Sequence, residues 1–351
     1  MKFFLRILAG AGLVLLPFAA ATAQNGTPAA CCTAAAPPPV APILPSEFLG
    51  WTNAFRLAND QAEAVLVPDI GRLVHFAPRP GTSPFRLDPA LQGQTPPAGE
   101  RFFNLGGDWF WPVAQARWAA LSGDAQDWPP PAALADLPWT CSAWTDAGGA
   151  QCALMTREYG APLHILASRL FRLEPGSAAL VVQQRIERTA ASEIPVVLWN
   201  ISQIARAGRI ALPVDKASKF RGGVKVLMGS KPDRKQLARC GNAVVYRVAP
   251  GAEIKLGSDS PRGWIAAARD ADVIFESVLN TAAGEFPDGG CVVEVYSNEG
   301  LGYSEIETLS PEQELAPGTV LQNTLRIEIA PPDASHAGCA LAAAARALAG
   351  E

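Results

Sequence analysis

The chain has 351 residues, of which 49% are hydrophobic and 18% charged, and it contains 31 glycines and 31 prolines. This length can bury a large core, and so much Gly and Pro favours many turns over long helices. The net charge of -4 and the pI near 5.6 give no basic stripe for a phosphate backbone, which argues against nucleic acid as a partner.

Residues 1–23 have the pattern of a signal peptide. A positively charged start precedes an apolar run from Ile7 to Phe18, and Ala21-Thr22-Ala23 is a small-residue cleavage site. The run is too short to span a bilayer, so we expect no stable membrane insertion. The pattern predicts an exported protein, periplasmic or secreted. Residues 24–47, rich in Pro and Ala, predict an extended linker.

From Trp51 onwards, short stretches alternate between apolar and polar residues, which predicts β-strands. Ala62–Val67 and Arg72–Phe76 flank a Pro-Asp-Ile-Gly turn and predict a hairpin. His164–Leu173 and Ala178–Thr189 are joined by Glu-Pro-Gly-Ser, in which Pro and Gly fit the centre of a type II turn. Further strands are predicted at 195–204, 243–248, 253–256, 263–268, 273–278, 291–297 and 320–329.

Long antiparallel strands with few helices predict an all-β domain of two packed sheets, which we place at residues 48–330. The remaining residues, 331–351, begin with a Pro pair and become rich in Ala. Within them, Ala340–Leu348 predicts a short helix or a frayed tail. We expect this tail to carry no chemistry.

The cysteines suggest one disulfide. Trp139–Thr145 and Gly148–Glu158 flank Asp146-Ala147, and a two-residue turn there would place Cys141 opposite Cys152. In an exported protein this pair predicts a disulfide, which would stabilise the fold by about 2–3 kcal/mol for so short a loop. The sequence leaves open the pairing of the other cysteines, for which Cys240 with Cys291 is one alternative: Cys31, Cys32, Cys240, Cys291 and Cys339.

No cysteine pair has the C-x-x-C spacing of a zinc site, and the three histidines are scattered. We therefore expect no metal, and no motif predicts a cofactor.

The stretch Arg101–Pro112 contains five aromatic residues together with Gly106-Gly107 and Asp108. A buried strand would alternate or run on in Val and Ile, so this pattern predicts a loop that brings backbone and flat side chains close to a ligand. The alternative is structural. In that case Trp109 and Trp111 fill one end of a β-fold core and Asp108 caps a turn.

A second informative stretch is Val295–Pro311, in which two strands meet at an Asn-Glu-Gly-Leu-Gly turn. Side chains alternate along a strand, so Tyr303, Glu305 and Glu307 share one face of the second strand. For Glu305 the alternative is an ordinary solvated surface position.

These residues carry a resemblance to the galactose mutarotase-like (aldose 1-epimerase) superfamily. Ile306-Glu307-Thr308, followed by a Pro and by Leu315-x-Pro317-Gly318 before a last long strand, resembles the end of its members. Gly71-Arg72-Leu73 resembles its early Gly-x-Arg strand, and Leu198–Gln203 falls where its sugar-facing strand would fall. The aromatic stretch looks more like a branch outside the superfamily's enzymes. The likeness runs from Trp51 to Ile329 and implies a large antiparallel β-supersandwich.

The resemblance also implies a reaction. In the enzymes a carboxylate removes the proton of the anomeric hydroxyl while a histidine protonates the ring oxygen, so that the sugar ring opens and recloses. Glu307 matches the carboxylate. The mid-chain histidine is absent, with Trp199 or Asn200 in its neighbourhood, and neither can transfer a proton at pH 7. A second family histidine is also missing, and His75 is one candidate replacement.

Three hypotheses follow. The first is an exported carbohydrate-binding protein that holds a hexose or related sugar in a groove on one sheet. The second is a sugar epimerase with Glu307 as general base and a non-histidine acid, for which Asp108, Tyr303 and Arg72 are candidates. The third is a non-catalytic envelope scaffold. The expected partner is a small sugar or saccharide, and the oligomeric state stays open. The predicted binding residues are Arg72, Asp108, Trp109, Trp111, Trp199, Gln203 and Tyr303.

Overall fold

A computed structural model describes residues 41–122, 128–249, 251, 253–280, 282–331 and 338–351. The predicted signal peptide, most of the predicted linker, Cys31, Cys32 and His336 lie outside the described residues. The described residues belong to one compact unit. None of the helices within the described ranges is both long and apolar enough to cross a membrane.

Strands dominate the described part of the chain. In sequence order they are β1 (Ala41–Pro42), β2 (Ser46–Phe48), β3 (Trp51–Ala58), β4 (Ala62–Val67), β5 (Arg72–Pro78), β6 (Asp108–Trp111), β7 (Thr140–Thr145), β8 (Gln151–Tyr159), β9 (Ile165–Leu173), β10 (Ala179–Arg188), β11 (Trp199–Ala205), β12 (Arg209–Pro213), β13 (Lys225–Met228), β14 (Leu237–Arg239), β15 (Ala243–Arg247), β16 (Glu253–Ser258), β17 (Trp264–Ala268), β18 (Val273–Asn280), β19 (Val293–Asn298), β20 (Tyr303–Leu309) and β21 (Val320–Ala330). The α-helices are α1 (Trp118–Ser122), α2 (Pro287–Gly290) and α3 (Cys339–Leu348). Short 3-10 turns occur at Pro68–Ile70, Pro89–Leu91, Gln115–Arg117, Ala132–Leu134 and Glu299–Leu301.

The strands of the described ranges form two antiparallel sheets. The first has eleven strands in the order β1-β7-β8-β9-β10-β21-β18-β17-β12-β15-β14, and the second has ten in the order β13-β16-β19-β20-β11-β6-β5-β4-β3-β2. The main hydrophobic core contains side chains from both sheets. This architecture confirms the predicted all-β sandwich of two packed sheets.

Burial alternates along the long strands, as it does when one face of a strand lies in the core. In β9 and β21 buried side chains alternate with more exposed ones, as expected for strands with one face in the core. The predicted hairpin of β9 and β10 is confirmed, with Leu173 opposite Leu180. The β4–β5 hairpin is confirmed as well.

Strand β6 departs from the sequence prediction, because the aromatic stretch ends in a central strand rather than a loop. Gly106 and Gly107 introduce it with φ values of +106° and +81°. A Cβ at Gly106 would lie 1.8 Å from the Arg86 carbonyl oxygen, so only glycine fits there. Trp109 is 3% exposed and packs as the structural alternative expects, whereas Trp111, 7% exposed, also lines the cavity described below.

The predicted Cys141–Cys152 disulfide is wrong. Thr145 lies opposite Gln151, so five residues rather than two close the hairpin, and Cys141 and Cys152 oppose other residues and are free thiols. The Asp146 carboxylate stabilises the longer loop, since its Oδ1 accepts backbone N–H groups within it at 2.8 and 3.0 Å.

A different disulfide forms, between Cys240 and Cys339, across a separation of 99 residues. The alternative pairing of Cys240 with Cys291 is therefore wrong, and Cys291 is a buried free thiol. Cys339 begins α3, so the bond joins this helix to the residue that follows β14.

The two ends of the folded unit also differ from the predicted boundaries. Strand β1 and the start of β2 lie in the last residues of the predicted linker. The two strands pair with β7 and β3, so the strands of the domain begin before residue 48. Helix α3 confirms the predicted C-terminal helix. It packs on the first sheet through Leu341, Ala342 and Ala345 against a cluster that includes Trp264.

Candidate functional site

A cavity of about 440 Å³ lies on the second sheet. Strand pairing places Lys255, Tyr296, Glu305 and Gln203 in one row across β16, β19, β20 and β11, and directly opposite residues share a face of a sheet. Six aromatic residues line the cavity, namely Phe102, Trp111, Trp128, Trp199, Tyr296 and Tyr303. Its charged lining residues are Glu253, Lys255, Glu305 and Glu307.

The tryptophans form a continuous aromatic wall. The Trp111 ring lies 5.2 Å from Trp199, 6.2 Å from Phe102 and 6.4 Å from Trp128, measured between ring centroids. Phe102 and Trp128 meet edge to face at 4.7 Å. Trp128 is 52% exposed, so this wall continues to the protein surface. Aromatic faces of this kind can stack on the apolar side of a ligand.

Glu307 lies next to Trp199 of this wall, in a network of charged groups. Its Oε2 accepts a hydrogen bond from Trp199 Nε1 at 2.8 Å and lies 3.0 Å from Lys255 Nζ. The same ammonium lies 2.8 Å from Glu294 Oε2 and 4.8 Å from the Trp199 ring centroid. One cation is therefore shared by two buried carboxylates.

Burial controls the protonation of this network. Burial alone would lower the pKa of Lys255, but the charges of Glu294 and Glu307 outweigh it, so the pKa lies above its ordinary value. Burial raises the pKa of Glu294 to about 8, although Lys255 opposes the shift. Lys255 is therefore charged at neutral pH, and Glu294 is mostly protonated there.

Glu305 is a second carboxylate in the cavity, two positions before Glu307 on the same face of β20. Its Oε1 accepts a hydrogen bond from Gln203 Nε2 at 2.8 Å. Burial, followed by the charge of Glu307, raises the pKa of Glu305 to about 7. The alternative of a solvated surface position for Glu305 is therefore wrong, since it can carry a proton beside the ion-paired Glu307.

Asp108, predicted as a binding residue, points away from the cavity into the space between the sheets. Its carboxylate contacts Arg169 Nη2 at 2.6 Å, Asn200 Nδ2 at 2.6 Å and Ser202 Oγ at 3.0 Å. Burial, followed by the charge of Asp108, raises the pKa of Glu276 to about 8, and the Glu276 carboxyl lies 2.6 Å from Ser202 Oγ. A protonated Glu276 can donate to this hydroxyl, which then donates to Asp108.

Arg72 and Trp109 contact each other and lie outside the cavity. The guanidinium carbon of Arg72 lies 4.4 Å from the Trp109 ring centroid. The same fully buried guanidinium donates to the carbonyls of Gly106 and Phe103 at 2.7 and 3.0 Å and to Asp136 at 2.9 Å. Neither residue lines the cavity. Arg72 therefore anchors the segment before β6 instead of touching a ligand there.

The other predicted site residues also fall into two groups, those that line the cavity and those that do not. Trp111, Trp199, Tyr303 and Glu307 line the cavity, whereas Gln203 is fully buried and acts through Glu305. Of the three predicted acids, Arg72 and Asp108 do not reach the cavity. Burial raises the pKa of Tyr303 to about 12, which makes its hydroxyl a poor proton donor at neutral pH.

The described histidines do not replace the missing acid, because neither lines the cavity. His75 lies 3.8 Å from Glu63 and packs against the Phe48 ring, and burial lowers its pKa. His164 occupies a turn with φ of +48°. Within the described ranges, no three His, Cys, Asp or Glu side chains form a cluster suited to a metal ion.

The sequence reasoning did not identify Lys255, Glu294 or Trp128 as site residues. Lys255 falls in a correctly predicted strand, but only the long-range pairing of β16 with β19 brings it to Glu307. Glu294 could have been found, since strand alternation places it on the face of Tyr296.

Comparison with solved structures identifies the fold. A putative aldose 1-epimerase from Klebsiella pneumoniae superposes with a TM-score of 0.53 at 12% identity, over 87% of this chain and 85% of that one. A putative mutarotase from Salmonella typhimurium gives a TM-score of 0.52 at 11% identity, over 83% and 97% of the two chains. A galactose mutarotase related enzyme from Lactobacillus acidophilus gives 0.51 at 7% identity, over 79% and 97%.

The chain therefore has the galactose mutarotase-like fold, which confirms the fold expected from the resemblance. Comparison with protein-family models and with curated protein sequences gives no match. At this level of identity the likeness concerns the fold, and the function must be argued from the residues of the cavity.

Proposed function

We propose that this protein is exported to the periplasm or the cell exterior and binds a sugar in the cavity of the second sheet. The observation that carries the proposal is that the aromatic wall lines the same cavity as the carboxylates of Glu305 and Glu307. A pyranose ring has an apolar C–H face that stacks on aromatic rings. Its hydroxyl groups can donate hydrogen bonds to carboxylates. A volume of about 440 Å³ lies within the usual range for small-molecule pockets.

Tryptophan fluorescence tests sugar binding directly. We expect a saturable change when the protein is titrated with hexoses, hexuronic acids and oligosaccharides, because Trp128 is 52% exposed at the cavity. Trp128→Phe should remove most of this change. Trp144→Phe is the matched control, since Trp144 lies on β7 in the other sheet. A response that persists unchanged in Trp128→Phe and Trp111→Phe would contradict binding at this wall.

Epimerisation is the second candidate, favoured by one observation: two carboxylates with different environments line the same cavity. In this scheme Glu307 removes the proton of the anomeric hydroxyl while a protonated Glu305 gives a proton to the ring oxygen. The bond between the anomeric carbon and the ring oxygen breaks as the carbonyl forms, and reclosure on the other face gives the second anomer. Glu307 Oε2 is already engaged by Trp199 Nε1 at 2.8 Å and by Lys255 Nζ at 3.0 Å, so binding stays the primary proposal.

An NMR anomerisation assay separates the two candidates. For an epimerase, freshly dissolved α-hexoses should equilibrate faster than in buffer, and Glu305→Gln and Glu307→Gln should each slow this by about 10²–10⁴. Glu253→Gln is the matched control, because that carboxylate also lines the cavity but hydrogen-bonds Tyr296. The rate should fall as the pH rises above about 7, where Glu305 loses its proton. Equilibration at the buffer rate would remove this candidate.

A further inference from the structure

A strongly basic segment lies at one edge of the sandwich. Residues 215–239 contain eight Lys and Arg residues and two Asp, in a chain whose net charge is -4. Seven of the eight cations are exposed, and within the described residues none of the eight is ion-paired. Uncompensated charge of this density produces a local positive potential.

The segment forms a pocket rather than a flat patch. A cavity of about 500 Å³ is lined by four of its cations, Lys219, Arg221, Lys225 and Lys231, and by no acidic side chain. Apolar side chains, among them Phe220, complete the lining, and Lys225 Nζ lies 5.9 Å from the Phe220 ring centroid. Lys225 Nζ also donates to the Asp288 carbonyl at 2.6 Å, which fixes one cation in place.

This basic pocket adjoins the cavity with the aromatic wall through strand β13. Lys225 and Val226, at one end of the strand, line the basic pocket, while Met228, at the other end, lines the aromatic cavity. Met228 lies opposite Lys255 in the pairing of β13 with β16. The strand is four residues long, so the two recesses are separated by roughly 10 Å at 3.3 Å per residue.

We infer that the basic pocket holds the acid groups of an anionic polysaccharide that continues from the sugar in the aromatic cavity. This inference rests on the proposed sugar binding and names the ligand class. A chain of acidic sugars presents carboxylates at regular intervals. Unpaired Lys and Arg side chains speed the association of such groups and then form charge-assisted hydrogen bonds with them. The apolar lining can contact the sugar rings between them, as the aromatic wall does.

Polygalacturonate oligomers are the probe, and uncharged dextran of the same length is the comparison, both titrated into the full chain. Polygalacturonate should bind more tightly, and Arg221→Ala/Lys231→Ala should weaken it by about two- to thirty-fold, from two exposed ion pairs. Arg209→Ala/Arg247→Ala is the matched control, because this exposed cross-strand pair carries the same charge on the first sheet. Trp128 fluorescence should report polygalacturonate binding.

Raising the ionic strength from about 0.15 to 1 M should weaken polygalacturonate binding, since the screening length falls from about 8 to 3 Å. Equal binding of dextran and polygalacturonate, with the pocket variant unaffected, would overturn the inference while leaving sugar binding intact. Inorganic polyphosphate that binds equally well without changing Trp128 fluorescence would overturn it too, by showing a general anion surface. Absence of any fluorescence response to monosaccharides, dextran and polygalacturonate alike would instead refute the proposed function itself.

Discussion

Replacing Lys255 by Met tests the charge network of the cavity most sharply. Met approximately keeps the length of the side chain but removes the one cation that contacts both Glu294 and Glu307, at 2.8 and 3.0 Å. Removing one partner of a buried ion pair costs about 3–5 kcal/mol, because the other charge is left uncompensated. We expect the larger loss at pH 8, where Glu294, whose pKa is about 8, is partly ionised in the parent and pairs with Lys255.

The loss should be much smaller near pH 5. Without Lys255 the pKa of Glu294 rises further, because the lysine charge opposes the rise in the parent, so the folded state keeps a proton that the unfolded state releases. A group whose pKa is raised on folding stabilises the protein at low pH and loses that contribution as the pH rises through its folded pKa. Each such group contributes a slope of up to about 1.4 kcal/mol per pH unit.

Urea unfolding of the parent and Lys255→Met at pH 5, 6.5 and 8 measures this difference. The double variant Lys255→Met/Glu294→Gln should recover part of the stability at pH 8, because it leaves one carboxylate instead of two. An equal loss at all three pH values would refute the electrostatic reasoning, since lost packing alone does not depend on protonation. No recovery in the double variant would contradict the sharing of Lys255.

Three further predictions concern the scaffold. Glu276→Gln should flatten the decline of unfolding free energy between pH 4.5 and about 8, because the Glu276 carboxyl binds a proton only in the folded state there; an unchanged slope in urea titrations would contradict this. Peptide mapping without reduction should find Cys240 linked to Cys339, and Cys240→Ser/Cys339→Ser should lower the unfolding free energy by about 2–5 kcal/mol for so long a loop; free thiols at both positions would be decisive against it. Gly106→Ala should prevent folding or destabilise the protein by more than about 3 kcal/mol, whereas Gly176→Ala, at positive φ but with open space around the Cβ, should cost only about 1–2 kcal/mol; comparable melting temperatures would show that the contact at Gly106 relaxes.

The sequence predicted the sheets because alternation is a local signal. The β4–β5 and β9–β10 hairpins follow from period-two burial and their turn residues, and the shared face of Tyr303, Glu305 and Glu307 follows from the same rule. The same alternation rule, applied to β6, would have placed Asp108 and Trp109 on opposite faces of the sheet. Gly106 and Gly107 end a loop immediately before β6, so the whole stretch was predicted as a loop and the rule was not applied to it.

The failed predictions depend on information that local patterns do not contain. The Cys141–Cys152 pairing failed because the length of a hairpin loop sets the register, and Asp146 stabilises a five-residue loop. Lys255 reaches Glu307 through strands that are adjacent in the sheet but distant in sequence. The net charge of the whole chain also concealed the basic segment at residues 215–239, because acidic residues elsewhere cancel it.

The pleat of β11 has a consequence for how this protein could acquire new ligands. Trp199 and Ile201 line the cavity, while Asn200 and Ser202, their neighbours in the chain, hydrogen-bond to Asp108 between the sheets. Substitution at Trp199 or Ile201 therefore changes the lining of the cavity, whereas substitution at Asn200 or Ser202 changes the hydrogen bonds to Asp108 between the sheets. A single substitution on this strand can therefore alter the lining of the cavity without removing a hydrogen bond to Asp108.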